Sequence, residues 1–208
     1  MLKSTKKHTK YWSDRVMNWE KDYFDTWTHP HRALIVHMIK GMPVGNLWEV
    51  GCGGGANIMR IMHDLPGFQE AHRIGGSDVN ADAIEFCIKK FGGGLWHVES
   101  GENLMMSDKS IDLLLTDMAL IYVDPFKIDK YLKEFKRVSK GYVLFCEFHS
   151  NSWWKRLKAR LGGYHVYDYR KRLEKLGYYD IMVQHIPEPY WPGTDNNTEF
   201  RSIISARV

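Results

Sequence analysis

Hydrophobic positions along the chain alternate between short continuous runs and longer stretches with helical spacing. A run at 46–50 ends at a glycine cluster, and residues 56–65 then carry apolar side chains at helical spacing. The order recurs with runs at 73–77, 95–98, 111–116 and 141–148, and with helical patterns at 81–91 and 128–138. Strands that alternate with helices of this length predict βαβ units, right-handed crossovers and a parallel sheet.

The pattern changes at both ends of the chain. After residue 148, helical patterns at 153–161 and 168–176 precede two strand-like runs at 178–186 and 198–207, which predict an antiparallel pair at the sheet edge. Before residue 46, an aromatic-rich segment and a helical pattern at 33–39 predict an N-terminal helical appendage. We therefore expect one domain over 46–208, with 1–45 as an appendage or lid that is not an independent domain.

Composition indicates the cellular compartment of the protein and the classes of partner that it lacks. The 208 residues are 44% hydrophobic and 26% charged, and no apolar run approaches the roughly 20 residues of a membrane span. Cys52, Cys87 and Cys146 match no zinc spacing, which favours free thiols in a reducing compartment, and the N-terminus lacks a secretory signal pattern. We expect a cytoplasmic location. The net charge of +4 is modest, and no nucleic-acid-binding module is visible.

The glycine cluster after the first strand carries the main chemical signal. Gly51, Gly53 and Gly55 allow backbone to approach a ligand closely and to turn into a helix whose free N–H groups face that ligand. Gly51, Gly53 and Ala56 also satisfy the relaxed dinucleotide fingerprint GxGxxG/A. The spacing alone therefore admits either NAD or another adenosine-containing cofactor.

Three acidic residues indicate which of these cofactors the chain binds. Asp78 closes the second strand, about 20 residues beyond the loop, where a carboxylate accepts hydrogen bonds from ribose hydroxyls. Glu49 is unfavourable beside a pyrophosphate but favourable beside the positive sulfonium and amino group of S-adenosylmethionine. Glu102 follows the third strand, where its carboxylate could accept from the adenine amino group. Together the three acids favour S-adenosylmethionine.

From residue 47 to residue 147 the chain resembles the class I S-adenosylmethionine-dependent methyltransferase superfamily, particularly its type 11 group of small-molecule enzymes. Residues 49–55 resemble the ExGxGxG cofactor loop, 76–80 the ribose-binding strand end and 101–104 the adenine-contacting turn; 107–112 and 133–138 resemble two further motifs in order. The resemblance implies a doubly wound, Rossmann-like α/β fold with a seven-stranded sheet and an antiparallel C-terminal strand pair. It also implies that S-adenosylmethionine is the cofactor and S-adenosylhomocysteine the product. The cofactor-binding residues that it implies are Glu49, Gly51, Cys52, Gly53, Gly55, Asp78, Val79, Gly101, Glu102, Asn103 and Asp117.

Methyl transfer needs few catalytic side chains, because the cofactor supplies the driving force and the protein mainly aligns the reactants. Candidate bases near the carboxyl ends of the strands are Asp117, Tyr122, Glu147 and His149, of which we select Asp117 and Tyr122 as the catalytic candidates. Each has an alternative role as a helix cap, turn residue or packing residue. Many family members have His where this chain has Tyr122, so the general base stays unassigned.

Two flanking segments remain open to interpretation. The aromatic N-terminal segment could cover the cofactor and bring Arg32 to its methionine carboxylate, or simply pack on the sheet. His29 and His31 lack a third ligand nearby, so no metal is expected. In 153–161, Trp and Leu residues share one helical face and four cations share the other. This pattern favours a helix whose apolar face packs on the core and whose basic face is solvated. The alternative is contact with an anionic membrane or a phosphate-bearing substrate. Asp168, Tyr169 and Arg170 of the same insert are candidates for shaping an acceptor pocket.

The leading hypothesis is therefore methyl transfer to an oxygen or nitrogen atom of a small molecule. The alternatives are an NAD-linked oxidoreductase, a nucleic-acid methyltransferase and a cofactor-binding protein without catalysis. The [DNS]-P-P-[YFW] signature of amino-methylating nucleic-acid enzymes is absent from the sequence.

Overall fold

A seven-stranded mixed sheet forms the centre of the computed structural model, which describes residues 5–70, 73–92, 95–192 and 198–208. The strand order is β3-β2-β1-β4-β5-β7-β6. The strands are β1 (Leu47–Val50), β2 (Ile74–Asp78), β3 (Leu95–Val98), β4 (Ile111–Asp117), β5 (Ser139–Phe148), β6 (Tyr179–His185) and β7 (Arg201–Arg207). The first five are parallel, whereas β7 pairs antiparallel with both β5 and β6. The predicted α/β sheet with an antiparallel C-terminal pair is confirmed.

Eight α-helices are present within the described residues. They are α1 (Thr5–Ser13), α2 (Trp19–Asp22), α3 (Pro30–Lys40), α4 (Ala56–Asp64), α5 (Ala81–Phe91), α6 (Ile128–Val138), α7 (Trp153–Ala159) and α8 (Tyr169–Lys175). Short 3₁₀ turns include Phe24–Thr28, Leu120–Tyr122 and Arg160–Gly162. Three glycines follow α5 in the sequence. Gly92 has φ +78° and follows the helix directly, whereas 93 and 94 lie outside the described residues.

The two faces of the sheet are covered by different helices. On one face, α6 and α8 bury Leu132, Phe135 and Leu173 against Leu114 of β4. On the other face, α3, α4 and α5 pack against Leu113 and Leu115 of the same strand; their buried residues include Ile35, Ile39, Ile58, Ile61 and Ile84. Successive side chains of a strand point to opposite faces, so a strand covered on both sides reads as a continuous apolar run. This explains why β4 shows no alternation in the sequence.

The topology fixes where a ligand can bind. The chain runs from β1 outward to β2 and β3, and then returns so that β4 lies on the other side of β1. In open α/β sheets the crevice beyond the carboxyl ends of the strands at such a reversal is the usual ligand site. The N-terminal elements α1 and α2 lie over this edge, next to the 3₁₀ turn after β4 and to α5. Among the described residues, no helix is long and apolar enough to cross a membrane.

Candidate cofactor and acceptor site

A cavity of about 220 Å³ lies at this carboxyl edge, between the glycine loop and the N-terminal elements. Its walls come from the ends of β1, β2, β3 and β4 and from the segment that precedes α3. The lining residues include Thr9, Trp12, Trp19, Tyr23, Val50, Gly51, Gly53, Asp78, Val79, Glu99, Ser100, Gly101, Asp117, Met118, Ala119, Tyr122 and Tyr131. Six of the residues that the sequence predicts for the cofactor therefore meet at one cavity: Gly51, Gly53, Asp78, Val79, Gly101 and Asp117.

The glycine loop requires glycine for two independent reasons. Gly51 and Gly53 have φ of +76° and +49°, a region that L side chains rarely adopt. A Cβ atom on Gly51 would also lie 2.5 Å from that of Ala119, and one on Gly53 would lie 2.7 Å from the Tyr23 ring. The bare backbone is thus what lets the turn after β4 and the N-terminal segment close around the cavity.

Asp78, at the end of β2, is held by the loop that it faces. The backbone N–H of Gly53 donates to its Oδ2 at 3.0 Å, and that of Asn80 donates to its Oδ1 at 2.9 Å. Burial raises the pKa of Asp78, while these backbone donors oppose the shift. The carboxylate is therefore oriented before any ligand arrives, with lone pairs left to accept from hydroxyl groups.

A buried polar network lies beneath the opposite end of the cavity. The Nδ2 atom of Asn57, in the first turn of α4, lies 2.6 Å from Oε1 of Glu49 and 3.0 Å from Oδ2 of Asp117. Arg32 donates to Oδ1 of Asn57 and, at 2.9 Å, to Oδ2 of Asp117. Asn57 thus joins the end of β1 to the end of β4.

The two carboxyl groups of this network respond oppositely to their surroundings. Burial raises the pKa of Glu49 to about 8, although the Asn57 hydrogen bond opposes the shift. Burial alone would also raise the pKa of Asp117, but the contact with His31, the Arg32 guanidinium and the Asn57 hydrogen bond hold it well below its ordinary value. Asp117 is therefore ionised and a weak proton acceptor.

One oxygen of each carboxyl group is left without a partner. Oε2 of Glu49 and Oδ1 of Asp117 are buried and accept no hydrogen bond from any described residue. Buried acceptors of this kind are costly unless something satisfies them. Asp117 lines the cavity, whereas Glu49 lies behind its wall. The amino group and sulfonium of S-adenosylmethionine are cationic, so these acidic residues fit that cofactor.

His31, Asp117 and Cys146 are buried together, and their potential metal-ligating atoms lie within 4.8 Å of one another. However, Nε2 of His31 lies only 2.9 Å from Oδ2 of Asp117, and the Arg32 guanidinium lies at the same distance from that atom. The Arg32 guanidinium and His31 are thus already placed against this carboxylate. A metal ion would have to displace these contacts and withstand repulsion from Arg32.

Other residues predicted for the cofactor lie away from the cavity wall. Glu102 forms ion pairs with Lys127 and Lys130 at 3.1 and 3.6 Å, and Asn103 is exposed. Cys52 is buried within the loop, and Gly55 forms the left-handed entry to α4. Beside Gly101, the cavity wall is formed instead by Glu99, Ser100 and Tyr131, which the sequence analysis did not select.

The remaining candidate bases differ in position. Tyr122 lines the cavity, its ring centroid lies 5.1 Å from that of Trp12, and burial raises its pKa to about 12. Glu147 lies below the turn after β4, where its Oε1 accepts the N–H groups of Ala119 and Leu120 at 3.0 Å each; burial raises its pKa to about 8. Nδ1 of His149 accepts the backbone N–H of Tyr169. Tyr122 is therefore the member of this group that faces the cavity.

The N-terminal segment covers the cavity and is attached to the sheet through Asn80. Nδ2 of Asn80 donates to the carbonyl oxygens of Trp12 and Arg15 at 2.7 and 2.9 Å, while its Oδ1 caps α5 by accepting the N–H of Ala83. Arg32 does not extend into the cavity, because it is engaged by Asp117, Asn57 and the 3₁₀ turn at Thr26. Asn57 and Asn80 were both missed from sequence, although each is a polar residue in or just before the first turn of an amphipathic helix.

The expectation for 153–161 is wrong. Its apolar residues were expected to face the core, but Trp153, Trp154, Leu157 and Leu161 are all exposed, and Ala159 is the buried residue of α7. A short helix that continues as a 3₁₀ turn places few of its side chains against the sheet. Of the neighbouring candidates, Tyr169 is fully buried, and Asp168 caps α8 by accepting the N–H of Lys171.

The fold and the cavity thus place a glycine loop and the acidic residues Asp78 and Asp117 at the carboxyl edge of a doubly wound sheet. Residues 48–141 match the family model described as "Methyltransferase domain". Comparison with curated protein sequences gives no significant match. The matched segment runs from β1 into the start of β5, and the seven-stranded fold around it is shared with solved S-adenosylmethionine-dependent methyltransferases.

Solved structures with the same fold are methyltransferases of low sequence identity. A methyltransferase from Thermotoga maritima is 18% identical, with a TM-score of 0.58 over 88% of this chain and 94% of that one. Magnesium protoporphyrin IX methyltransferase from Synechocystis, with S-adenosylmethionine bound, is 12% identical, with a TM-score of 0.64 over 100% and 98% of the two chains. A methyltransferase from Archaeoglobus fulgidus is 17% identical, with a TM-score of 0.59 over 90% and 100%.

Proposed function

We propose that the protein transfers the methyl group of S-adenosylmethionine to a nitrogen or oxygen atom of a small-molecule acceptor. The observation that carries the proposal is a cavity lined by both Asp78 and Asp117, in which Asp117 has an unpartnered carboxylate oxygen. Glu49, which Asn57 joins to Asp117, carries a second unpartnered oxygen and is buried behind the cavity wall. When bound, the cofactor supplies an electrophilic methyl group and the driving force for its transfer. The protein's own contribution is binding, orientation and exclusion of water.

Each end of the cavity has a distinct binding role in this proposal. Asp78 accepts hydrogen bonds from the ribose hydroxyls, and the bare backbone of Gly51 and Gly53 allows close approach. Val79 and Gly101 form the side where adenine would pack. Glu49 and Asp117 hold the cationic amino-acid end, with Asn57 fixing the orientation of both carboxyl groups. Glu102 and Asn103, which lie away from this cavity, are not assigned a role in binding.

The acceptor would lie at the wall formed by Trp12, Met118 and Tyr122, beyond the ends of β4 and the N-terminal segment. Neither Asp117 nor Tyr122 has a pKa suited to accepting a proton near neutral pH, since one is well below and the other well above that range. We therefore propose an acceptor whose attacking atom already carries a free lone pair, such as an unprotonated amine or a carboxylate. In this account Tyr122 packs against and orients the acceptor rather than removing a proton.

The proposal includes the domain organisation and the cellular location of the protein. Residues 46–208 would form the methyltransferase domain, with 1–45 as its lid, because Trp12, Trp19 and Tyr23 line the cavity. All three cysteines are buried free thiols, which supports a role in the reducing cytoplasm.

The test has two arms. Calorimetric titration compares S-adenosylhomocysteine with NAD, and a screen then follows formation of S-adenosylhomocysteine with panels of small amines, carboxylates and alcohols. We expect binding of S-adenosylhomocysteine without binding of NAD, and turnover with members of the amine or carboxylate panel. Binding without turnover on any panel would instead support a protein that binds the cofactor without catalysis. Preference for NAD would contradict the proposal.

A further inference from the structure

The helix α7 presents an exposed surface that methyl transfer does not explain. Trp153 and Trp154 are 57% and 64% exposed and stack on each other, with ring centroids 3.9 Å apart. Leu161, in the 3₁₀ turn that directly follows the helix, is 89% exposed, and Leu157 is also exposed. Pro125 and Trp153 line the same groove. Phe126, the residue after Pro125, is 97% exposed. Large apolar side chains grouped in this way on a protein surface usually mark a contact site.

A basic groove runs beside these side chains, between α7 and α8. Its volume is about 470 Å³. The cationic residues that line it are Arg156, Arg160, Lys171, Arg172 and Lys175. Arg172 is paired with Asp129 and Arg156 lies 4.0 Å from Asp168, whereas Arg160, Lys171 and Lys175 form no ion pair with any described residue. The groove therefore carries an excess of positive charge.

We propose that this α7 surface, formed by Phe126, Trp153, Trp154, Leu157, Leu161 and the basic groove, docks the protein peripherally on an anionic phospholipid membrane. The cations would meet lipid phosphates, and the Trp and Leu side chains would enter the interface between headgroups and acyl chains. A free phosphate-bearing small molecule would account for the cations. It would not account for the exposed apolar side chains that lie beside the groove.

The position of the surface relates it to the cavity without depending on the proposed reaction. Tyr167 lines the groove, and its hydroxyl donates to the carbonyl oxygen of Val123, which lines the cofactor cavity. Docking through α7 would thus bring the carboxyl edge of the sheet close to the bilayer. Because membrane binding needs neither cofactor nor acceptor, its failure and that of the methyltransferase assignment are separately measurable.

The experiment is co-sedimentation of the full chain with vesicles of phosphatidylcholine alone and of phosphatidylcholine mixed with phosphatidylglycerol. We expect binding to the mixed vesicles only, weakening as salt is raised. Replacing two cations of the groove, Arg160→Gln with Lys171→Gln, should weaken binding by about thirtyfold. The matched control is Lys40→Gln with Lys133→Gln, which removes two exposed lysines elsewhere and should leave binding unchanged.

A second pair of variants tests the apolar contribution. Trp154→Gln with Leu161→Gln should weaken binding by about tenfold or more. Met105→Gln, which changes an exposed apolar residue outside the α7 surface, should leave vesicle binding unchanged. Unfolding temperatures equal to that of the wild type would show that all variants fold. Absence of binding to mixed vesicles would overturn the proposal, as would equal binding by the groove variant and the wild type. Calorimetric binding of glycerol phosphate without vesicle binding would also overturn it, since the groove would then be a small-anion site.

Discussion

The guanidinium of Arg32 donates to Oδ2 of Asp117 at 2.9 Å, and 7% and 4% of the two side chains, respectively, remain exposed. This ion pair links the N-terminal segment to the end of β4, directly below the cavity. It leaves Arg32 engaged away from the cofactor's carboxylate and keeps Asp117 ionised. The pair thus favours a role for Asp117 in holding a cationic ligand over a role as general base.

Asn57 connects this ion pair to Glu49, so its amide should contribute to stability more than an ordinary hydrogen-bonding residue. Asn57→Ala leaves Glu49, Asp117 and Arg32 each without one partner in a buried site. We expect the free energy of unfolding to fall by about 2 to 4 kcal/mol. Denaturant unfolding measures this change. Asn103→Ala, the same substitution at an exposed position, should cost under about 0.5 kcal/mol; equal losses in the two variants would contradict the network.

Glu49 should couple cofactor binding to proton release. Its pKa is raised from 4.5 to about 8 by burial, so the carboxyl group is largely protonated near pH 7 in the cofactor-free protein. A cationic group bound beside it favours the ionised form, and binding should release up to about one proton. Calorimetric titration at about pH 7, in buffers of different ionisation enthalpy, measures the release.

The matched variants sharpen this test. Glu49→Gln should bind more weakly and release no proton, whereas Glu102→Gln, at a carboxylate away from the cavity, should behave as the wild type. Without cofactor, the raised pKa also means that the stabilising contribution of Glu49 is complete below its ordinary value of 4.5 and is lost as the pH rises through about 8. Proton release that persists in Glu49→Gln would assign it to another group.

Asn80 should hold the N-terminal segment in place over the cavity. Asn80→Asp keeps an acceptor that caps α5 but loses the N–H donors to Trp12 and Arg15 and places negative charge against their carbonyl oxygens. Amide hydrogen exchange over residues 9–28 should therefore accelerate by about tenfold. Asn80→Ala should cause the same loosening and also destabilise α5 by about 1 kcal/mol. Unchanged exchange in Asn80→Asp would show that the segment is held by its aromatic contacts alone.

Asp78 should be the main determinant of affinity for the ribose. Asp78→Asn leaves one acceptor oxygen for two backbone N–H groups and for the ligand, so affinity for S-adenosylhomocysteine should fall by about ten- to a hundredfold. Asp82→Asn changes an exposed carboxylate in the first turn of α5, four residues further along the chain, and should bind within about twofold of the wild type. Calorimetric titration distinguishes the two. Equal affinity in both variants would remove Asp78 from the site.

The elements and the glycine loop were predictable because both depend on local sequence. The apolar run of β4 and the helical spacing of α6 follow from the period of their backbone, and Gly51 and Gly53 are required by the loop's own dihedral angles. Asp78 was predictable for the same reason, since it directly ends a strand next to that loop.

The remaining features depend on contacts between distant segments. Asn57, Arg32 and Asp117 meet only after three elements have packed, so their spacing in sequence carries no signal. Glu102 occupies the expected turn, but its side chain pairs with lysines of the following segment and helix. The exposed face of α7 was missed because an amphipathic pattern shows that one face is apolar, and not whether another element covers it.

A crystal structure with S-adenosylhomocysteine tests the central claim most directly. The account predicts the ribose hydroxyls within hydrogen-bonding distance of the Asp78 carboxylate, and the amino group beside Oε2 of Glu49 or Oδ1 of Asp117. A ligand bound outside this cavity, or with its ribose turned away from Asp78, would contradict it.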